Sequence, residues 1–194
     1  MWCGNQETTI TTGRNKNIMN QLLELMLNRR SVRKYTGESI TEDKLKLILQ
    51  AGLTSATSKN RKPWEFIVVQ EKETLQKLAK CRVGTGKMLE RAGCAILVFG
   101  NTDITPDVWV EDCSIAMSNM HLMADALGLG SCWIQGRLRE AENGQTTEEF
   151  CRELLSVPEH MGLLAILSVG VPAEHPAGYT EADLKEEKIH WEKF

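Results

Sequence analysis

The segment from Asp107 to Leu127 constrains this chain more than any other, because its only charges are Asp107, Glu111, Asp112 and Asp125. One apolar stripe runs Trp109, Cys113, Ala116, Met117, Met120, Ala124, Leu127, and a second runs Val108, Ile115, Leu122, Leu129 at intervals of seven. Both repeats are helical, and a helix apolar nearly all round must be covered on more than one side. A chain of 194 residues is about one domain long and can bury a core without disulfide or metal. A second copy of the same chain is then a natural cover for the second stripe.

The flanking segments read as alternating helices and strands. Ile18 to Leu27 has helical spacing, and Thr41-Glu42-Asp43 announces a second helix through Leu45, Ile48, Leu49 and Leu53, with Thr41 as its expected cap. Trp64–Val69, Cys94–Phe99, Cys132–Ile134 and Leu163–Val171 are branched or apolar runs suited to buried strands. Lys72–Lys80 and Thr147–Leu155 read as further helices, the latter closed by Pro158. The pattern predicts helices layered on one sheet. Residues 1–18 read as a polar leader without an export or organelle signal, and 172–194 as an arm ending in the apolar pair Trp191 and Phe194.

Composition narrows the function classes. The hydrophobic fraction is 42% and the charged fraction 25%, as in ordinary globular chains. The longest apolar run, Leu163–Val171, is under half of the ~20 residues that span a bilayer, so no membrane association is expected. A net charge of −3 offers no general attraction to nucleic acid. The six cysteines form neither a zinc motif nor a C-x-x-C, and Cys94 and Cys113 lie within apolar elements, which favours a reducing, cytoplasmic compartment. The four histidines are dispersed, and no metal motif, nucleophile elbow or G-x-G-x-x-G is present. Gly84-Thr85-Gly86-Lys87 fails as a phosphate loop, because Cys81 stands where its first glycine belongs and Met88 follows the lysine.

Three segments carry candidate binding chemistry. Arg29-Arg30-Ser31-Val32-Arg33-Lys34 offers guanidinium forks and a hydroxyl for one phosphate, or is simply a solvated cationic helix end. In Thr57-Ser58-Lys59-Asn60, the amide of Asn60 suits a heterocycle edge, while an ordinary turn before Trp64 explains the same residues. Trp133-Ile134-Gln135-Gly136 ends a strand at a glycine, leaving backbone N–H groups either for a ligand or for the fold itself.

Taken in order, these segments resemble the nitroreductase family of flavin enzymes. The matching blocks are Arg29–Arg33, Ala56–Ile67, Gly128–Gly136, Val169-Gly170-Val171-Pro172 and Glu187–Phe194, and together they span about residues 19–194. The resemblance implies an α+β fold with a central mixed sheet flanked by helices, and an intertwined homodimer holding FMN at its interface. It implies an FMN-binding domain over 19–171 and a C-terminal arm over 172–194 docked on the partner subunit. Arg29, Arg30, Ser31 and Arg33 would hold the FMN phosphate and ribityl chain. Thr57, Ser58 and Asn60 would reach the flavin from the other subunit, and Lys87 would sit near its pyrimidine edge. Trp133 and Ile134 would belong to the same cofactor-binding element, with backbone donors around Gln135 and Gly136 facing N5 and O4.

The implied activity is a ping-pong relay through flavin N5 from NADH or NADPH to a small nitroaromatic or quinone acceptor, with no side chain acting as a catalytic acid. Reductive dehalogenation on the same scaffold, or a flavin sensor without turnover, are the alternatives. The chain departs from the family at Ala56, Thr57 and Lys62. It also lacks the phosphate-binding arginine usual near Gly178-Tyr179-Thr180, for which Lys185 is one substitute. Cys132 has no counterpart in the family pattern.

Overall fold

A computed structural model describes residues 14–194. Most of the expected leader, with Cys3, lies outside the described residues, and the first helix, α1 (Arg14–Asn28), starts before residue 18. It is followed by α2 (Glu42–Leu53), β1 (Trp64–Val69), α3 (Lys72–Leu78), β2 (Cys94–Asn101), α4 (Trp109–Ala126), β3 (Gly130–Gln135), α5 (Thr147–Leu155) and β4 (Met161–Gly170). Short 3-10 segments at Ser58–Asn60 and Gly86–Arg91 were not anticipated by periodicity. Thr41 stands at the N-cap of α2 but makes no side-chain cap bond, leaving Glu42 and Asp43 to meet the helix dipole. A full capping box stands instead on α5, where Thr146 and Glu149 bond each other's backbone N–H groups.

The strands form one sheet in the order β1-β2-β4-β3, each neighbouring pair antiparallel. Its mixed character is confined to one parallel bridge, Ser31 to Ser131, on the outer edge of β3. The two central strands are buried almost throughout because both sheet faces are covered. On one face Ile96, Val98 and Leu167 meet Ile48 of α2 and Met117 and Met120 of α4. On the other, Phe99, Leu163 and Ile166 meet Leu78 of α3, Leu89 and Cys151 of α5. Each such side chain contributes roughly 1.5–3 kcal/mol on burial.

The first stripe of α4 is the buried one, with Cys113, Ala116, Met117, Met120 and Ala124 fully covered. The second remains open except at Leu129: Ile115 is 42% exposed, and Leu122 lines a shallow groove with Leu22, Leu25 and Met123. Two requirements of one helix are thus met by different means, one within the chain and one left to a surface.

The arm begins by docking on its own protomer. Ala173 N donates to Lys34 O at 2.9 Å, Lys34 pairs with Glu174 at 3.0 Å, and Tyr179 N donates to Leu27 O at 2.8 Å. Beyond it the chain projects its apolar residues, Trp191 being 84% exposed and Phe194 fully so.

Candidate functional site

The cationic segment leaves α1 in extended form and runs along the open edge of β3. Val32 N donates to Ser131 O at 2.9 Å, and the Val32 side chain is buried at the point where a Cβ on Gly130 would lie 2.6 Å from its Cγ1. This anchor leaves Ser31 and Arg33 on either side of it at the surface. Behind it, Tyr35 Oη donates to Val32 O at 2.7 Å and lies 2.8 Å from Ser168 Oγ, which is 3.2 Å from Cys132 O. Burial raises the Tyr35 phenol well above its ordinary pKa, so it stays a neutral donor in this network.

Arg33 and Lys87 face a common open cleft of about 780 Å³, whose rim also carries Lys34, Arg91 and Glu90. Lys87 is placed by the 3-10 segment, which packs so closely on the end of α3 that a Cβ at Gly86 would fall 2.1 Å from Ala79 O. Lys34 is paired with Glu174, Arg91 donates to Thr36 O at 2.7 Å and Arg33 to Ser31 O at 3.2 Å, so Arg33 and Lys87 face the cleft without a carboxylate partner among the described residues.

A second cavity, about 310 Å³, lies beside the same segment and is lined by Arg29, Ser31, Ser118, His121, Leu122 and Trp133. His121 Nδ1 lies 2.8 Å from Ser131 Oγ. Burial, and secondarily the Arg29 guanidinium, lower its pKa to about 4, so it is a neutral wall near pH 7.

Arg30 is directed elsewhere. Its guanidinium donates to Ala177 O and lies 4.5 Å from the centre of the Tyr179 ring, a cation–π contact that secures the arm. A guanidinium therefore does stand beside Tyr179, supplied by the first motif, while Lys185 is exposed.

On β3, Trp133 Nε1 donates to Gln135 Oε1 at 2.8 Å and Gln135 Nε2 to Arg137 O at 3.0 Å, fixing both side chains. The Ile134 side chain is 1% exposed and belongs to the core, which leaves only its main chain for a ligand. Gly136 N donates to Leu164 O at 3.3 Å, and a Cβ at Gly136 would meet Leu163 Cδ2 at 2.7 Å. Packing therefore accounts for this glycine, and its N–H is engaged within the fold. Cys132 is buried with its thiol pKa raised, chiefly by burial, and serves as a small apolar residue.

Thr57, Ser58 and Asn60 line neither cavity. They lie on a loop fastened to α4, where Ser58 N donates to Asp112 Oδ1 at 2.8 Å and Asn119 Nδ2 to Ser55 Oγ at 2.8 Å. Asp112 escaped the sequence reading as anything but a charge on an apolar helix. The signal was an acid directly beside Cys113 of the buried stripe. The first and last motifs thus meet at the edge of β3, while the middle one is held at the start of α4, more than two turns along that helix from His121.

Among the described residues, no group of three or more His, Cys, Asp and Glu is disposed to hold a metal ion. No helix there is long and apolar enough to cross a membrane. The donor set suits an organic anion, with Arg29 and Ser31 on one side of the strand edge and Arg33 and Lys87 on the other.

The sequence matches the profile of the nitroreductase family over residues 26–83 and 80–171. A protein of Archaeoglobus fulgidus named "Putative NADH dehydrogenase/NAD(P)H nitroreductase" is 33% identical over 91% of this chain and 100% of its own length. An NADPH-flavin oxidoreductase of Vibrio harveyi is 30% identical over 81% of this chain and 68% of its own length. Among solved structures, an FMN-dependent nitroreductase from Clostridium difficile R20291 superposes with a TM-score of 0.85 at 40% identity, covering 89% of this chain and 99% of that one.

Proposed function

The chain belongs to the nitroreductase family, and from that premise we propose that it works as a homodimer in which each FMN is held by residues of both subunits. The activity is that of an NAD(P)H-dependent flavin oxidoreductase. Bound FMN would supply the chemistry of hydride transfer from NADH or NADPH to a nitroaromatic, quinone or related acceptor, and the chain's own residues would hold and orient it.

The observation that carries the reading is the division of the site. Arg29 and Ser31 line one cavity and Arg33 and Lys87 the other, on the two sides of the cationic segment, whereas the Thr57–Asn60 loop is fastened away from both cavities. A second copy packed on the uncovered stripe of α4 supplies that loop. In this arrangement Arg29, Ser31 and Arg33 bind the phosphate and ribityl chain, and Arg30 acts on them indirectly by holding the arm. Lys87 offsets negative charge at the pyrimidine edge, and Trp133 and Gln135 shape the wall beside the ring with the main chain at Ile134. Gly136 permits the strand to end against Leu163. The domain is residues 19–171, and the arm, 172–194, reaches the partner through Trp191 and Phe194. The described cysteines are all buried free thiols, which suits a reducing, cytoplasmic setting.

The test is spectroscopic and kinetic. The purified chain should be yellow, bind one FMN per subunit and oxidise NADH or NADPH when a nitroaromatic is supplied. Arg29→Ala combined with Arg33→Ala should remove the colour. A colourless protein that also refuses added FMN sinks the assignment, and flavin binding without turnover favours a sensor.

A further inference from the structure

We propose that Asp112 is a positioning residue for the cofactor site of the neighbouring subunit, acting through the backbone of Ser58. The inference rests on the dimeric reading above, in which the Thr57–Asn60 loop serves the partner's flavin.

Asp112 lies in the first turn of α4 and is 3% exposed. One carboxylate oxygen, Oδ1, accepts the Ser58 N–H at 2.8 Å, while Oδ2 is buried without a hydrogen-bond partner among the described residues. An unsatisfied carboxylate oxygen burdens a fold, and the helix dipole offsets only part of that. An apolar side chain would suit a position beside Cys113 and Ala116 better. The single contact that rewards the acid is the one to the loop.

The loop needs such a hold. Lys59, Asn60 and Lys62 all have left-handed backbones, with φ of 51°, 55° and 50°. None is glycine, and residues of this kind keep such conformations only where their surroundings impose them. The constraints are visible on each side: Ser55 is tied to Asn119, Lys62 N donates to Thr57 Oγ1 at 3.2 Å, and Arg61 donates to Ile104 O at 3.2 Å. Ser58 N to Asp112 is the only one of these bonds made to a charged acceptor, and it lies immediately before the strained residues. The charge-assisted bond fixes where the strained turn begins, and so where Asn60 is presented.

The experiment uses the full chain carrying Asp112→Leu, Asp112→Asn or Ser58→Pro, with Ser58→Ala as reference. Asp112→Leu should weaken FMN binding about tenfold, the scale of one hydrogen bond to a charged group, while the thermal midpoint of the flavin-free protein holds or rises. Asp112→Asn keeps an acceptor oxygen but not its charge and should fall between the leucine variant and wild type, binding FMN about threefold more weakly than wild type. Ser58→Pro deletes the N–H at the first position of a 3-10 turn, where proline is accommodated, and should weaken FMN binding beyond Ser58→Ala. It keeps the question open to refutation even if the leucine variant does not fold. Wild-type affinity in Asp112→Leu, or equal affinities in the two Ser58 variants, overturns the proposal. A wild-type chain that binds no FMN overturns the function beneath it, so the two failures are read on different samples.

Discussion

A Cβ on Gly130 would lie 2.6 Å from Cγ1 of Val32, so the cationic segment and the third strand of the sheet meet where only glycine leaves room. Gly130→Ala must displace a side chain that is 1% exposed, and with it the neighbouring Ser31 and Arg33. Overpacking of this kind costs about 1–3 kcal/mol. Urea unfolding should report that loss, and the FMN dissociation constant should rise in the same variant. Gly128→Ala, where no neighbour lies within 4 Å but φ is +71°, should lose stability through backbone strain alone and bind FMN normally.

His121 makes stability pH-dependent in a defined direction. Its folded pKa is lowered from 6.5 to about 4 by burial and by Arg29, so between those values the unfolded chain binds the proton and the folded one does not. The contribution is complete above pH 6.5 and is lost as pH falls towards 4, by up to about 3 kcal/mol. His121→Gln, which retains a partner for Ser131, should flatten that limb relative to wild type in urea melts at pH 7.0 and pH 4.5. Parallel curves for the two proteins would contradict the assignment.

The three arginines of the first motif should separate by function. Arg29 and Arg33 line the two cavities, whereas Arg30 is engaged with Ala177 O and the Tyr179 ring. Arg30→Ala should therefore loosen residues 172–194, read as faster proteolysis at the C-terminus, while FMN affinity falls less than in Arg29→Ala or Arg33→Ala. The exposed cation–π contact is worth about 0.5–1 kcal/mol, so the effect on global stability should be small.

Periodicity and turn chemistry made most of the architecture legible in the sequence. The strands at Trp64–Val69 and Cys94–Asn101 and the helix at Thr147–Leu155 stand where their apolar patterns put them. The two stripes of α4 were also readable, because a seven-residue repeat needs no tertiary knowledge. What escaped depends on contacts distant in sequence. That Gly86 packs on Ala79, that Gly136 packs on Leu163, and that Arg30 turns to Tyr179 cannot be seen in a window of neighbours. The left-handed run at Lys59, Asn60 and Lys62 was hidden for a related reason, since no glycine marks it and only the surrounding bonds enforce it.

Ile115 offers the sharpest separation between a surface residue and an interface residue. It is 42% exposed in the single chain, on the stripe of α4 that the protomer leaves uncovered. In an isolated subunit Ile115→Lys puts a charge into water and should change stability by no more than about 0.5 kcal/mol. In a dimer closed over that stripe the lysine must be buried unpaired, at a cost of several kcal/mol per interface. The expected result is a monomer by light scattering with a nearly wild-type circular dichroism spectrum. In the proposed dimer the Thr57–Asn60 loop of one subunit completes the site of the other, so the same variant should lose FMN without any change to Arg29, Arg33 or Lys87. A variant that stays dimeric and yellow would place the interface elsewhere on the molecule.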